Sequence, residues 1–370
     1  MKKSVSVCAM LAAMLPFFGV AETYTLAGTD AAGASAMDNT GTYGWTDSLG
    51  TTTKNHKPSA GNDYVVDQNY ILRSPAGKSF AFGGDSLTVS GDSQIKDKGA
   101  NNSTVTIPNL IVTGKATIAN GDANALNKIA GAIDIREDGS LAFDVSFDNT
   151  GDARKFEVLA DVSGAGSLCA VASDEVKSAG PYVKFLGSLA GFSGKVAVQG
   201  RDAVQFATIF ASSLPGDPDD FLEDGLTVEG NSALKFETSG KLGIMRGVSL
   251  GSGACEIYVA EGEIVQIDGF VTGSVGFRKT GKGTLAHANV SPDLMGTVTV
   301  AEGTLQLCDM KETALPAADV TVASGAVLDE HGPAVDHDPL VEATLTGVDV
   351  IADGQPHGPV LTVTDPTEGY

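Results

Sequence analysis

Apolar residues recur at every second position in short runs along most of the chain, and each run ends in a turn rich in Gly, Asp, Asn or Ala. Residues 296–307, GTVTVAEGTLQL, show the form. Val298 and Val300 fall on one side of a first run, Leu305 and Leu307 on one side of a second, and Ala301-Glu302-Gly303 joins them. The phrase recurs with variations at 85–92, 110–122, 133–146, 224–237 and 257–268. Period-two alternation bounded by turn formers predicts β-strands. Only Asp122 to Ile129 and Ala170 to Ser178 have the pattern for even a short helix.

A longer echo accompanies the short one. Val162-SGAGSL-Cys169 parallels Val271-TGSVGF-Arg278, and Phe192-SGKVAV-Gln199 parallels Leu294-MGTVTV-Ala301 in the same order. A single phrase of this kind cannot fold alone. The cost of ordering it exceeds what its few inward aliphatics return, and its ladder hydrogen bonds need a neighbour. Stacking supplies that neighbour, which is the logic of a solenoid. A large β-sandwich is the alternative, and it accounts less well for the glycine-tipped turns.

Composition agrees with many short strands. The chain holds 46 Gly in 370 residues, against a usual share of about 7 %, and aromatics make up only 6 %. A compact α/β enzyme is disfavoured. Residues 22–80 differ from the middle, with the only Trp (Trp45) and four of the seven tyrosines. A solenoid needs its first open edge protected, so this stretch is expected to cap it. Asp329 to Pro339, DEHGPAVDHDP, reads as the start of a linker.

The first residues carry an export signature. Lys2 and Lys3 precede an apolar stretch from Val5 to Phe18, and the small residue Ala21 follows at the expected cleavage point. A membrane anchor would need about 20 apolar residues and a stop-transfer flank. Removing this segment takes away two lysines and no acids, so the formal charge moves from -22 to -24. So acidic a surface repels phosphate backbones, and nucleic acid is not an expected partner. Cys169, Cys255 and Cys308 remain. Their odd number and wide spacing imply neither a disulfide framework nor a metal motif, and small buried hydrophobes is the simpler reading.

Residues 276–307, GFRKTGKGTLAHANVSPDLMGTVTVAEGTLQL, resemble the autotransporter-associated β-strand repeat. Lys279, Gly281, Gly283, Thr284 and Leu285 match the first half of its pattern, and Gly296, Val300, Gly303, Thr304, Leu305 and Leu307 the second. His287 departs from it, standing where a second inward Leu is expected, as a frayed or outward-turned packing variant. The stretch from Leu159 to Phe206 matches weakly. The resemblance implies a right-handed parallel β-helix of passenger type. From Leu345 onward the chain is similar to the opening of a bacterial immunoglobulin-like repeat, carried by Asp353, Gly354, Pro356 and His357. Such a domain needs about 80–100 residues, so an incomplete segment is expected there.

The expected organisation is therefore a signal peptide (1–21), an N-terminal cap (22–80), β-solenoid repeats (81–328), a linker (329–344) and an incomplete immunoglobulin-like segment (345–370). No catalytic, cofactor or metal residue is assigned. Asp134, Arg136, Glu137 and Asp138 lie close together, as do Arg201 and Asp202, yet each group reads more simply as a solvated turn. Asp217, Asp219, Asp220, Glu223 and Asp224 crowd one loop, but Phe221 stands where a calcium loop needs an oxygen ligand. His331 and His337, flanked by Asp329, Glu330, Asp336 and Asp338, have no fixed spacing geometry. The expected function is an exported structural or adhesive cell-surface protein, outer-membrane-associated or extracellular, whose partners are surface glycans or other surface proteins. The alternative is a lyase or glycoside hydrolase acting on polysaccharide from a β-helix scaffold.

Overall fold

The computed structural model describes residues 21–29, 34–38, 43–120, 126–145, 154–172, 181–200, 207–211, 222–242, 246–331, 348–349 and 360–361. Residues 1–20, within the expected signal peptide, lie outside them. The described chain forms an all-β solenoid of about nine turns built from stacked parallel sheets. A full turn, or rung, lays one strand on each of three faces, and the next rung repeats them in parallel register.

Face one begins at Glu22–Leu26 and continues through Asn62–Val66, Ser86–Val89 and the second half of Ser103–Val112. Face two is a ten-stranded ladder from Ala34–Ala36 to Val271–Gly273. Face three runs from Phe80–Ala81 to Ala318–Val322. Ser103–Val112 and Leu126–Ile135 each turn the corner from face three to face one, so the two faces join as one sheet. Face one stops at Gly191–Phe192, and a later ladder from Gly240–Leu242 to Val327–Asp329 takes its place in the cyclic order.

Parallel register stacks like on like. Leu87, Leu110, Ile133 and Val162 form one inward track, and Val265, Leu285, Leu305 and Leu328 another. Nearly all these side chains are buried, so each rung's apolar edge is hidden by the rungs above and below. Glycines permit the tight corners between faces. Gly303 has φ +65°, and a Cβ there would lie 2.4 Å from the carbonyl oxygens of Gly281 and Gly283 on the adjacent rung. The Ala-Glu-Gly hinge of the 296–307 phrase is thus a turn seated on the glycine turn of the rung before it.

Several expectations change in detail. The parallel ladder already begins at Glu22, inside the segment expected to be a cap. What closes its outer edge is the short antiparallel pair Trp45–Thr46 and Thr52–Thr53, against Thr25 and Leu26. Trp45 and Tyr64 pack edge to face beneath it, ring centroids 4.9 Å apart. The described parts of both expected helices are strand, because Leu126–Ile135 and Ser167–Val171 each find parallel partners on two sides. The one described helix is the short turn Lys311–Ala314. Asp329 ends the last rung rather than opening a linker. The echoed phrases lie on different corners: 162–169 and 192–199 pass from face one to face two, 271–278 and 294–301 from face two to face three. They share a turn grammar, not a position. Beyond His331 the described residues are Val348–Asp349, paired antiparallel with Val360–Leu361. No helix among the described residues is long and apolar enough to cross a membrane.

Candidate binding face

The outward positions of face three carry a series of polar side chains held by ion pairs and ring contacts. Strand alternation dictates which residues these are. In Lys155–Val158, Phe156 and Val158 go inward and Lys155 and Glu157 outward. In Tyr182–Phe185, Ser232–Phe236 and Cys255–Val259 the same rule turns out Tyr182, Lys184, Lys235, Glu256 and Tyr258. Register then sets them side by side: Lys128 beside Glu157 beside Lys184, and Glu256 beside Arg278.

Charges pair along the stack, between adjacent rungs for Lys128 and Glu157 and across two rungs for Lys184 and Glu237. Lys128 Nζ is 3.1 Å from Glu157 Oε2, and Lys184 Nζ is 2.6 Å from Glu237 Oε2. Glu256 is a hub: Lys235 Nζ lies 3.7 Å from its Oε1, Arg278 Nη1 3.8 Å from its Oε2, and Thr280 Oγ1 donates to Oε1 at 2.9 Å. Half-exposed pairs of this kind contribute up to about 1 kcal/mol each. Their larger effect is to fix long side chains in one orientation. Lys155 Nζ sits 5.7 Å from the Tyr182 ring centroid and Lys235 Nζ 5.4 Å from that of Tyr258, both within cation–π range. Burial, then the Glu157 carboxylate, holds the Tyr182 phenol above its ordinary pKa.

Beside this band lies an open hollow of about 400 Å³, lined by Cys255, Val275, Phe277, Arg278, Thr297 and Thr299 among others. It arises where face two narrows from Arg246–Leu250 to Val271–Gly273 and then to a single bridge between Gly273 and Leu294. Arg278 and Thr299 belong to both the hollow and the outward band. Together they offer fixed N–H and O–H donors, carboxylate acceptors and two tyrosine rings on one flat surface. Such a surface can hydrogen-bond a hydroxyl-rich partner and pack against its apolar face.

The residues weighed from sequence are placed as follows. Asp134 and Arg136 pair with each other, Nη2 to Oδ2 at 2.7 Å, and Arg136, Glu137 and Asp138 are exposed. Arg201, Asp202, Asp217, Asp219, Asp220, Asp336, His337 and Asp338 lie outside the described residues, as do the side chains of Glu223 and Asp224. Asp329 is buried and accepts from Gln306 Nε2 at 3.0 Å and from the His331 N–H at 3.0 Å, while the His331 side chain is exposed. Among the described residues, no three His, Cys, Asp or Glu side chains gather as a metal site would require. The three cysteines are free thiols. Burial, then the Glu229 carboxylate, pushes Cys169 up to about 12 and Cys255 to about 11.

His287 keeps the inward position rather than turning out. It stacks between Ile267 and Leu307 at 3 % exposure, and its Nε2 meets Ser291 Oγ at 2.9 Å. Ser291 makes this tolerable by tying the ring to the neighbouring corner, where Oγ also accepts the Val271 N–H at 2.7 Å. The tyrosines and lysines of face three were not singled out from sequence. The signal was present in the outward positions of runs such as KFEV, YVKF and CEIYV. Comparison with models of known families, with curated proteins and with solved structures finds no match for this chain.

Proposed function

We propose that this chain is an exported structural or adhesive cell-surface element of autotransporter-passenger type, which presents face three as a rigid binding surface for glycans. The observation that carries the reading is the outward band of Lys128, Lys155, Tyr182, Lys184, Lys235 and Tyr258, two register columns with Phe210 between Lys184 and Lys235, oriented by ion pairs and cation–π contacts between rungs. Its hydrogen-bonding groups repeat at the strand spacing of about 4.8 Å, so a long polymer can engage several rungs at once, and many weak contacts sum to useful avidity. Export is supported by the Lys2-Lys3 start, the apolar run to Phe18 and Ala21.

The test incubates the chain from Glu22 onward with a panel of soluble and insoluble polysaccharides, scoring bound protein and released sugar separately. Binding without sugar release, weakened at least tenfold in the double variant Tyr182→Ala/Tyr258→Ala, is the expected result. Release of oligosaccharides would replace this reading with the polysaccharide-degrading one. Equal binding by the double variant would remove face three as the surface.

A further inference from the structure

Two inward tracks that are apolar along most of the solenoid become polar at one corner. At the end of face two, successive rungs place Met37, Ser74, Asp97, Asn120, Val145 and Ala172 in line. At the start of face three they place Ser103, Asn127, Phe156 and Val183. Met37 on one side and Val145, Ala172, Phe156 and Val183 on the other fill this corner with apolar groups, whereas Asp97, Ser103 and Asn127, beside Ser74 and Asn120, bring polar atoms into it. The exposures of Asp97, Ser103 and Asn127 are 1 %, 6 % and 0 %.

The polar atoms here are only half used. Asp97 Oδ1 accepts from Ser74 Oγ at 3.0 Å and from the Gly99 N–H at 2.7 Å. Asp97 Oδ2, Ser103 Oγ and both Asn127 amide atoms have no hydrogen-bond partner. Ser103 lies beside the Asp97 carboxylate on one side and is the register neighbour of Asn127 on the other. A Cβ built on Gly99 would touch Ser103 Oγ at 1.9 Å and Asp97 Oδ1 at 3.0 Å, and Ser103 and Asn127 are direct register partners. A buried amide rarely goes without any partner. The unsatisfied set mixes donors, on Asn127 Nδ2 and Ser103 Oγ, with acceptors, on Asp97 Oδ2 and Asn127 Oδ1. A hard cation would use only oxygens, needs about six of them, and would leave Asn127 Nδ2 unpaired. Water both donates and accepts, and it occupies buried sites that offer two to four polar partners.

We propose that Asp97, Ser103 and Asn127 enclose a structural water site inside the solenoid, at the corner between faces two and three. The bound water closes the hydrogen bonds of all three side chains and holds the rungs of Asp97 and Asn127 in one register.

A crystal structure of the chain from Glu22 onward at better than about 1.8 Å resolution, together with water magnetic relaxation dispersion in solution, tests the proposal. The expected result is an isolated density peak at hydrogen-bonding distance, about 2.6–3.2 Å, from at least two of Asp97 Oδ2, Ser103 Oγ and the Asn127 amide. Ser103→Ala, which retains the backbone ladder, should keep the fold and weaken or shift the peak. Asn127→Leu should remove at least one long-lived water from the dispersion signal. A peak at about 2.4 Å from oxygens alone, accompanied by a thermal shift specific to sodium or calcium over choline chloride at equal ionic strength, would overturn water in favour of a cation. Side chains that bond one another directly, with no peak and an unchanged dispersion signal in the variants, would overturn the site.

Discussion

Lys279 and Val300 occupy the same inward position on adjacent rungs of face three, and both are fully buried. Ile257 stands in that position on the rung before. Among these aliphatics the lysine ammonium turns into the corner and donates to three carbonyl oxygens: Thr280 at 3.0 Å, Gly281 at 2.7 Å and Glu302 at 3.0 Å. Two of them belong to its own turn and the third to the turn of the next rung. The Lys of the K-x-G-x-G-T-L phrase is therefore a clasp between consecutive corners. Gly281, at φ +73°, lets the backbone bring its carbonyl to the ammonium.

Replacing the clasp tests its weight. Lys279→Met fits the apolar track but strands three buried carbonyls. A loss of about 2–4 kcal/mol is expected, reading each charge-assisted bond net of its desolvation. Urea midpoints of the two proteins measure it, and a variant as stable as the parent would show the clasp to be idle. Burial, opposed in part by the Glu302 carboxylate, pulls the Lys279 pKa from 10.5 to about 8. The unfolded chain then binds more protons between those values, so this group makes stability rise as pH climbs from about 8 to 10.5. The rise should be absent from Lys279→Met.

His287 gives the opposite edge of the pH range. Burial holds its pKa down, from 6.5 to about 4. A depressed folded-state pKa contributes stability that is present above about 6.5 and lost as pH falls toward 4. The shift corresponds to about 3 kcal/mol. His287→Leu places here the residue that its register partner Leu307 carries and should flatten the stability profile between those pH values. Parallel acid-induced losses in parent and variant would assign the sensitivity elsewhere.

Asp97 behaves with the reverse sign. Burial raises its pKa, opposed by the Gly99 N–H and the Ser74 hydroxyl. A raised folded-state value means its contribution is complete below the unfolded carboxylate range and fades as pH rises through the folded value. Asp97→Asn keeps an acceptor for Ser74 and Gly99 without the charge, so it should gain on the parent as pH is raised from 4 to 7. Thermal midpoints across that range would reveal a constant difference if Asp97 does not titrate with folding.

Thiol chemistry should be slow in the native chain. With Cys255 held near 11, about one molecule in a thousand carries its thiolate at pH 8. Cys169, near 12, is less reactive still. Cys308, whose pKa is also raised by burial, is one of two thiols that are not fully buried. A chromogenic disulfide reagent should label Cys308 first and Cys255 only on unfolding. Immediate labelling of all three would mean the rungs open on the timescale of the reagent.

Much of the fold was legible because a solenoid writes its periodicity into local sequence. Alternation and Gly turns place the paired runs of 110–122, 133–146 and 296–307 where the strands are. Which face a run joins was not legible, since the corners share one grammar and only register distinguishes them. The true cap was hidden as well, because Trp45–Thr46 and Thr52–Thr53 are two-residue strands with no periodicity to read. His287 misled in the other direction: its burial depends on Ser291 and on the corner at Val271, contacts that spacing does not encode. The outward band of face three required knowing that Lys128 and Glu157, or Glu256 and Arg278, fall side by side, which only the ladder supplies.

Because each rung is fastened chiefly to the rung above and below, the rod has a distinctive response to tension. Load applied at its two ends meets the end rungs first and peels them singly, rather than shearing the whole stack at once. Leu87 to Leu110 spans one rung of 23 residues, and paying out that length frees about 80 Å of extended chain. A tether made this way lengthens in steps while its remaining rungs stay folded, and each freed rung can re-form on the intact edge beside it when the pull relaxes.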